Sequence, residues 1–482
     1  MRLPLLIICA LLPLISFSQA GYDLKFKIEG LNDTTVYLGN FYGETTYIKD
    51  TARANSRGEF EFKGPKPLLY RGVYFIVLMQ GGKPARQFDF LIADKQQFSM
   101  ETKSSDYVKY MKVTGDPDNA LFFENMLFNG ERHKEAEPFI KVLQDSTLSK
   151  EQKKEARIAY TSINEKVIAY QNDLIAKHPG TLTSKILKAN QTVIIPDPPK
   201  LKDGSIDSTF QLKWYRQHFF DNFDLAEPGL ICLPTPLYKN KINEYLDKLF
   251  VQQPDSIMRG MESYISRAKP NQETYKYATW ITLLKYQQPD IMGLDEVYVR
   301  MYDKYYASGQ MDFWVNDKLK KNLKEGADRL RNSLVGMKAP NLIMQDATFK
   351  AKSMYDIKNR YTLLYIFDPD CGHCKEETPK LVKFYNSHKY DVQVYAVSAD
   401  TSMQKMRDYI KEMKMPWITV NGPRTYVGPY QDLYDAIVTP SLYIIDDKKK
   451  IIAKKVPVEK LGEFFIQYER FKSAEKNKTG KL

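Results

Sequence analysis

The spacing of apolar residues changes twice along this 482-residue chain, and each change limits what the next segment can fold into. Near the start, YDLKFKIEG puts Tyr22, Leu24, Phe26 and Ile28 on one face of an extended strand, with Asp23, Lys25, Lys27 and Glu29 on the other. TTVYLGNFYG, GEFEFKG, GVYFIVLM and FDFLIADKQQFSME continue the pattern between the turn clusters NSRG and QGGKP. Short strands at this spacing predict a β-sandwich over residues 21–110. From about residue 115 the period becomes helical: Ile163, Val167, Tyr170 and Leu174 share a face, as do Ile242, Tyr245 and Leu249, and DKLKKNLKEGADRLRNSL is a further amphipathic stretch. A central α-helical domain is expected over 111–333, interrupted by an exposed proline-rich loop, IIPDPPKLKDGS (194–205). After Val335 apolar strands alternate with helical segments, and PYQDLYDAI reads as a short helix among them. That alternation predicts an α/β domain over 334–475, followed by a basic tail, 476–482.

Composition narrows the function classes. With 43% hydrophobic and 27% charged residues the chain is ordinary globular protein, and no internal stretch reaches the ~18 apolar residues of a membrane span. The net charge of +12 is dispersed apart from FKSAEKNKTGKL, with no basic stripe interleaved with aromatics, so nucleic acid is not an expected partner. Residues 1–20, MRLPLLIICALLPLISFSQA, combine Arg2, an apolar run broken by Pro4 and Pro13, and the small residues Ser18 and Ala20. They read as a secretory signal cleaved after Ala20, which places the mature chain in the periplasm or cell envelope. Cys9 lies in that run, and LIICA lacks the small residue expected before a lipoprotein cysteine. Of the four cysteines, Cys232, Cys371 and Cys374 remain, too few for a disulfide-stapled scaffold. Cys232, in LICLPTPLY, reads as a small buried hydrophobe.

The close pair needs its own account. In DPDCGHCKEETP (368–379), Cys371 and Cys374 stand where an apolar strand gives way to a helical segment. A thiol at a helix N-terminus faces unpaired N–H groups and the positive end of the dipole, which favour the thiolate, the attacking species in disulfide exchange. Cys374 follows one turn later, placed to attack a mixed disulfide and release the product. An imidazole at His373 would favour the Cys371 thiolate, while Asp368 and Asp370 would oppose it. Zinc would want four ligands, and there is no second cysteine pair, so no metal is expected. A loop this small restrains little of the unfolded chain, which counts against a purely structural disulfide. Electrons would pass through the cysteines, so no bound cofactor is needed.

Residues 335–475 resemble the thioredoxin superfamily, specifically TlpA-like envelope thiol–disulfide oxidoreductases. VGMKAPN looks like their entry motif, CGHCKEETP fits C-x-x-C-x-x-E-x-P, and IVTPSLYIID looks like the cis-proline loop and the strand after it. The resemblance implies a thioredoxin-like fold for the α/β domain, with Cys371 the nucleophile, Cys374 the resolving thiol and Glu377 the acid that moves the Cys374 proton. It also implies that Thr439 and Pro440 face the cysteines and that the residue before the proline pairs by backbone with the substrate. Protein thiols and disulfides would be the substrates, and a membrane or thioredoxin-like partner would recycle the pair, in either direction of electron flow. Two positions depart from thioredoxin: Tyr365 replaces a buried aspartate, and Asp370 replaces the tryptophan before the first cysteine. Peroxidase chemistry needs P-x-x-x-T-x-x-C, whereas Leu364 and Asp368 occupy the proline and threonine positions. The N-terminal two-thirds resembles, less specifically, a Bacteroidota envelope architecture whose first two domains have no assigned function. The competing expectation is a non-enzymatic envelope binding or scaffold protein, because exchange chemistry needs only the last third of the chain.

Overall fold

The computed structural model describes residues 21–479 except 423, 426 and 427. The segment read as a signal, with Cys9 and the cleavage point after Ala20, lies outside the described residues, as do the last three of the tail. The chain packs into two compact units: residues up to Leu249 together with Tyr264–Tyr277, and Phe250–Ser263 together with Ala278–Leu482.

The first unit opens with eight strands: β1 (Tyr22–Glu29), β2 (Thr35–Tyr42), β3 (Thr45–Arg53), β4 (Glu59–Gly64), β5 (Gly72–Gln80), β6 (Lys83–Ile92), β7 (Gln97–Lys103) and β8 (Lys112–Thr114). They form two four-stranded sheets, ordered β4-β1-β7-β8 and β3-β2-β5-β6. The period-2 pattern of β1 decides the packing. Leu24, Phe26 and Ile28 are buried, Phe26 lies opposite Phe60 and Met100 in the neighbouring strands, and its ring stacks on Phe60 at 5.2 Å. Leu38, Ile76 and Phe90 of the second sheet complete the same core. The free thiol of Cys232 is buried in this unit, and burial pushes it up to about 12.

The α-helices that follow among the described residues are, in chain order, α1 (Pro117–Gln144), α2 (Lys154–Lys177), α3 (Leu182–Ala189), α4 (Phe210–His218), α5 (Leu237–Leu249), α6 (Pro254–Ala268), α7 (Gln272–Gln287), α8 (Asp295–Met301) and α9 (Asp317–Asn332). Residues 194–205 run between α3 and α4 outside any helix, with Ile194 and Leu201 exposed. No helix among the described residues is long and apolar enough to cross a membrane.

The second unit is organised around one sheet. Its strands are β9 (Ile343–Asp346), β10 (Ala351–Ser353), β11 (Tyr361–Phe367), β12 (Val392–Ser398), β13 (Ile418–Asn421), β16 (Ser441–Asp446) and β17 (Ile451–Lys454), in the order β10-β9-β13-β12-β11-β16-β17; a separate short ribbon pairs β14 (Arg424–Thr425) with β15 (Gly428–Pro429). β11 pairs in parallel with β12 and antiparallel with β16, so it is a central strand, and all seven of its residues are buried. Alternation along β11 sends Tyr361, Leu363, Tyr365 and Phe367 into one core, and Leu364 and Ile366 into the other. The helices of this sheet are α10 (Gly372–Asn386), α11 (Met403–Met413) and α12 (Leu461–Thr479). PYQDLYDAI makes only a 3-10 turn, Tyr430–Asp432, rather than the short helix its pattern predicts. Tyr430 and Tyr434 are both buried, and the Tyr434 hydroxyl donates to the Pro340 carbonyl at 2.5 Å, which ties the chain down after one turn.

Candidate active site

The cysteine pair sits where β11 leaves the sheet. The turn after Phe367 is closed by two bonds to Asp368: its carboxylate accepts from the Asp370 N–H at 2.9 Å, and its carbonyl accepts from the Cys371 N–H at 3.1 Å. Cys371 then has extended backbone, φ −79° and ψ 123°, and caps α10. Its side chain makes no capping bond to the helix, so the thiol stays available beside the first-turn N–H groups. Cys374, in that first turn, is 0% exposed, and its sulfur accepts from the Asp368 N–H at 3.5 Å. Across from the pair, the Thr439–Pro440 peptide is cis, and the Thr439 carbonyl accepts from the Cys371 thiol at 3.5 Å.

The two thiols are driven in opposite directions. Partial burial works against ionisation of Cys371, but it is outweighed by the Cys374 N–H, the Cys374 thiol, the Thr439 side chain and the His373 N–H, and the thiol ends below its ordinary value. Cys374 is pushed up to about 12, first by burial. Alkylation should therefore discriminate sharply. In the folded, reduced protein, iodoacetamide at about pH 8 should label Cys371 and spare Cys374. Equal labelling of both by peptide mass spectrometry would contradict this asymmetry.

The other expected site residues are not all close to the thiols. The His373 imidazole is 85% exposed, with Nδ1 3.7 Å from a Glu376 carboxylate oxygen; what His373 gives Cys371 is its backbone N–H. Asp370 is paired with Lys405 at 2.6 Å, and Lys405 also holds Asp400 at 2.9 Å, so the acidic turn carries its own counter-charge. The Glu377 carboxylate lies 2.5 Å from Lys380 Nζ. No hydrogen bond joins Glu377 to Cys374 among the described residues, but Glu377 lines a cavity of about 520 Å³ together with Tyr365 and Pro440.

Behind Cys374 lies a hydroxyl cluster of which only Tyr365 stands out in the sequence. Thr378 Oγ1 is 2.7 Å from the Cys374 carbonyl, 2.9 Å from the Tyr365 hydroxyl and 2.8 Å from the Tyr409 hydroxyl. A threonine hydroxyl carries one proton, so it donates to the carbonyl and accepts from both phenols. Thr378 lies four residues after Cys374, and Tyr409 is on the buried face of α11; those positions were the available signals.

Three stretches of the chain match family models. Residues 335–454 match the AhpC/TSA family, while residues 183–327 and 22–122 match two domains of unknown function, DUF5106 and DUF4369. Over 134 residues the chain is 24% identical to the thiol-disulfide oxidoreductase ResA of Bacillus subtilis (strain 168), covering 28% of this chain and 68% of that protein. Over 92 residues it is 33% identical to probable nucleoredoxin 1 of Arabidopsis thaliana, covering 18% of this chain and only 16% of that protein's length. A solved domain of a possible thiol-disulfide isomerase from Cytophaga hutchinsonii is 37% identical, with 29% of this chain and 97% of that one aligned and a TM-score of 0.28. The C-terminal segment thus carries a match to the AhpC/TSA family and is similar to the thiol-disulfide oxidoreductase ResA, and it follows matches to two domains of unknown function.

Proposed function

We propose that the protein is an exported thiol–disulfide oxidoreductase that exchanges disulfides with protein clients of the cell envelope through Cys371 and Cys374. The observation that carries this reading is the opposed environment of the two sulfurs: one at a helix N-terminus and lowered, the other buried and raised. In the reductive direction the Cys371 thiolate attacks one sulfur of a client disulfide. A Cys371–client bond forms, the client S–S bond breaks, and the second client sulfur leaves as a thiolate that takes up a proton. Cys374 then loses its proton and attacks Cys371 Sγ, which closes the Cys371–Cys374 disulfide and releases the reduced client. The client gains two electrons and the pair loses two. The oxidative direction is the same path reversed.

The remaining site residues have roles in this reading. Glu377, on the cavity wall beside Tyr365, takes the Cys374 proton. Thr439, whose carbonyl accepts from Cys371, aligns the client backbone, with Pro440 beside it. His373 contributes to the thiolate through its N–H. Recycling falls to a membrane or thioredoxin-like dithiol partner. Export rests on the pattern of residues 1–20.

Replacing Cys374 by alanine tests the mechanism, because the first attack remains and the resolving step is lost. Cys374→Ala should accumulate reducible covalent adducts with envelope proteins, seen as mass-shifted bands without reductant. A binding or scaffold protein would accumulate none above the background of a Cys371→Ser, Cys374→Ala double variant. The reduction potential of the native pair then gives the direction: near roughly −270 mV for a reductase, near roughly −120 mV for an oxidant.

A further inference from the structure

The cleft beside the cysteine pair has a second wall. On one side lie Tyr365, Glu377, Pro440 and β17; on the other lies Gln287–Asp295, the segment from the end of α7 to the start of α8. That segment falls in the region matching DUF5106, outside the match to the redox family. It is fixed in place. Asp295 and Lys454 form an ion pair in which each side chain is only 5% exposed, and Lys454 Nζ also donates to the Ser333 carbonyl at 3.2 Å. The Lys454 N–H donates to the Met292 sulfur at 3.2 Å. Between these anchors the segment presents Asp290, Ile291 and Met292 to solvent. On the redox side Val438 lines the cleft, and it and Ile437 are 67% and 68% exposed, immediately before Thr439.

The charges of the lining do not cancel. Lys454 is taken by Asp295, and Lys455 by Asp435. Lys380 is shared between Glu377 and Glu459. Asp290 has no ion pair among the described residues. The cleft is therefore a partly apolar surface with surplus negative charge, and it includes Pro440, next to the residue that contacts Cys371. A small thiol would leave the exposed lining residues Met292 and Val438 uncovered, whereas an extended chain lying along the cleft covers both.

We propose that Gln287–Gly293 is a client-recognition wall: it holds the stretch flanking the reacting cysteine of an extended protein client, and favours apolar residues with a basic neighbour. This rests on the exchange reading above and gives the DUF5106 region a part in choosing the client.

The test uses the reduced full chain and two synthetic peptides. Each carries a cysteine capped with thionitrobenzoate and flanked by leucine, with lysine beside it in one and glutamate in the other. Attack by Cys371 displaces thionitrobenzoate, whose absorbance gives the second-order rate. The native protein should prefer the lysine peptide by about fivefold, the range of one partly exposed charge pair. Asp290→Asn should bring the ratio toward one, and Asp290→Lys should invert it. Asp290 is exposed, so neither change threatens folding. Release from both peptides at equal rates, unmoved by Asp290→Lys, would overturn the wall and leave the exchange reading intact. Release from neither peptide would overturn the exchange reading, and the wall with it.

Discussion

Replacing Lys454 with methionine is expected to speed amide exchange in β17 and α8 by roughly 10²- to 10⁴-fold, the largest stability effect we anticipate from one substitution in the second unit. The Asp295 carboxylate is buried, and Lys454 is its ion-pair partner; neither of its oxygens has a further hydrogen bond. Taking away the cation leaves an uncompensated buried charge, which typically costs about 3–5 kcal/mol. Taking away both charges does not, because an apolar pair of similar volume escapes the desolvation penalty that the ions incurred on folding. Lys454→Met combined with Asp295→Leu should therefore recover most of the lost protection. If the double variant exchanges as fast as the single one, the pair is not the anchor and the damage comes from lost packing. The outcome bears on function as well, since the same pair fixes the segment that walls the cleft. A double variant that is stable but has lost its peptide preference would separate holding the fold together from setting the position of Asp290.

How far the molecule can be read from its sequence depends on the range of the interaction. The strands of the first sheets were legible because the period-2 pattern in YDLKFKIEG is a local record of which side chains face a core. Helices α2, α5 and α9 were legible for the matching reason, from the 3.6-residue spacing of their apolar residues. The cysteine pair was legible because a nucleophile at a strand-to-helix junction needs only twelve consecutive residues to announce itself, and Phe367 to Gly372 deliver that junction. Three features were not legible. The short helix expected in PYQDLYDAI fails because Tyr434 is tied to Pro340, a contact no local pattern encodes. Thr378 reads as an ordinary helix residue until the Tyr365 and Tyr409 hydroxyls converge on it. Lys454 reads as a charged residue near a hairpin end, and only the fold reveals that it is buried against Asp295. For His373 the sequence suggests an imidazole effect, whereas the ring is exposed and the contribution to Cys371 comes from its N–H.

Cys371→Ser should reduce exchange with a protein disulfide by at least about 10³-fold, and Cys374 should not take over. The argument is one of thiolate supply. An ordinary cysteine is a few per cent ionised near neutral pH, and Cys371 lies on the more ionised side of that value. Cys374 is held well above an ordinary thiol, first by burial, which Cys371→Ser leaves in place. It is also 0% exposed, so a client disulfide cannot reach its sulfur without opening α10. The serine hydroxyl, unlike a thiol, forms no stable bond to a client sulfur, so no adduct should accumulate in Cys371→Ser even when Cys374→Ala is strongly trapped. The two single variants should thus differ in kind: one inert, the other stalled after its first step. The pH profile adds a readout that simple misfolding would not reproduce. In Cys374→Ala, single-turnover attack on a client disulfide should rise with pH and level off below the range of an ordinary thiol, because the backbone N–H groups of residues 373 and 374 and the Thr439 side chain remain to lower Cys371. A midpoint at or above that of a free cysteine would show that the helix N-terminus and the Thr439 contact do not activate the thiol, and the division of labour between the two sulfurs would have to be abandoned.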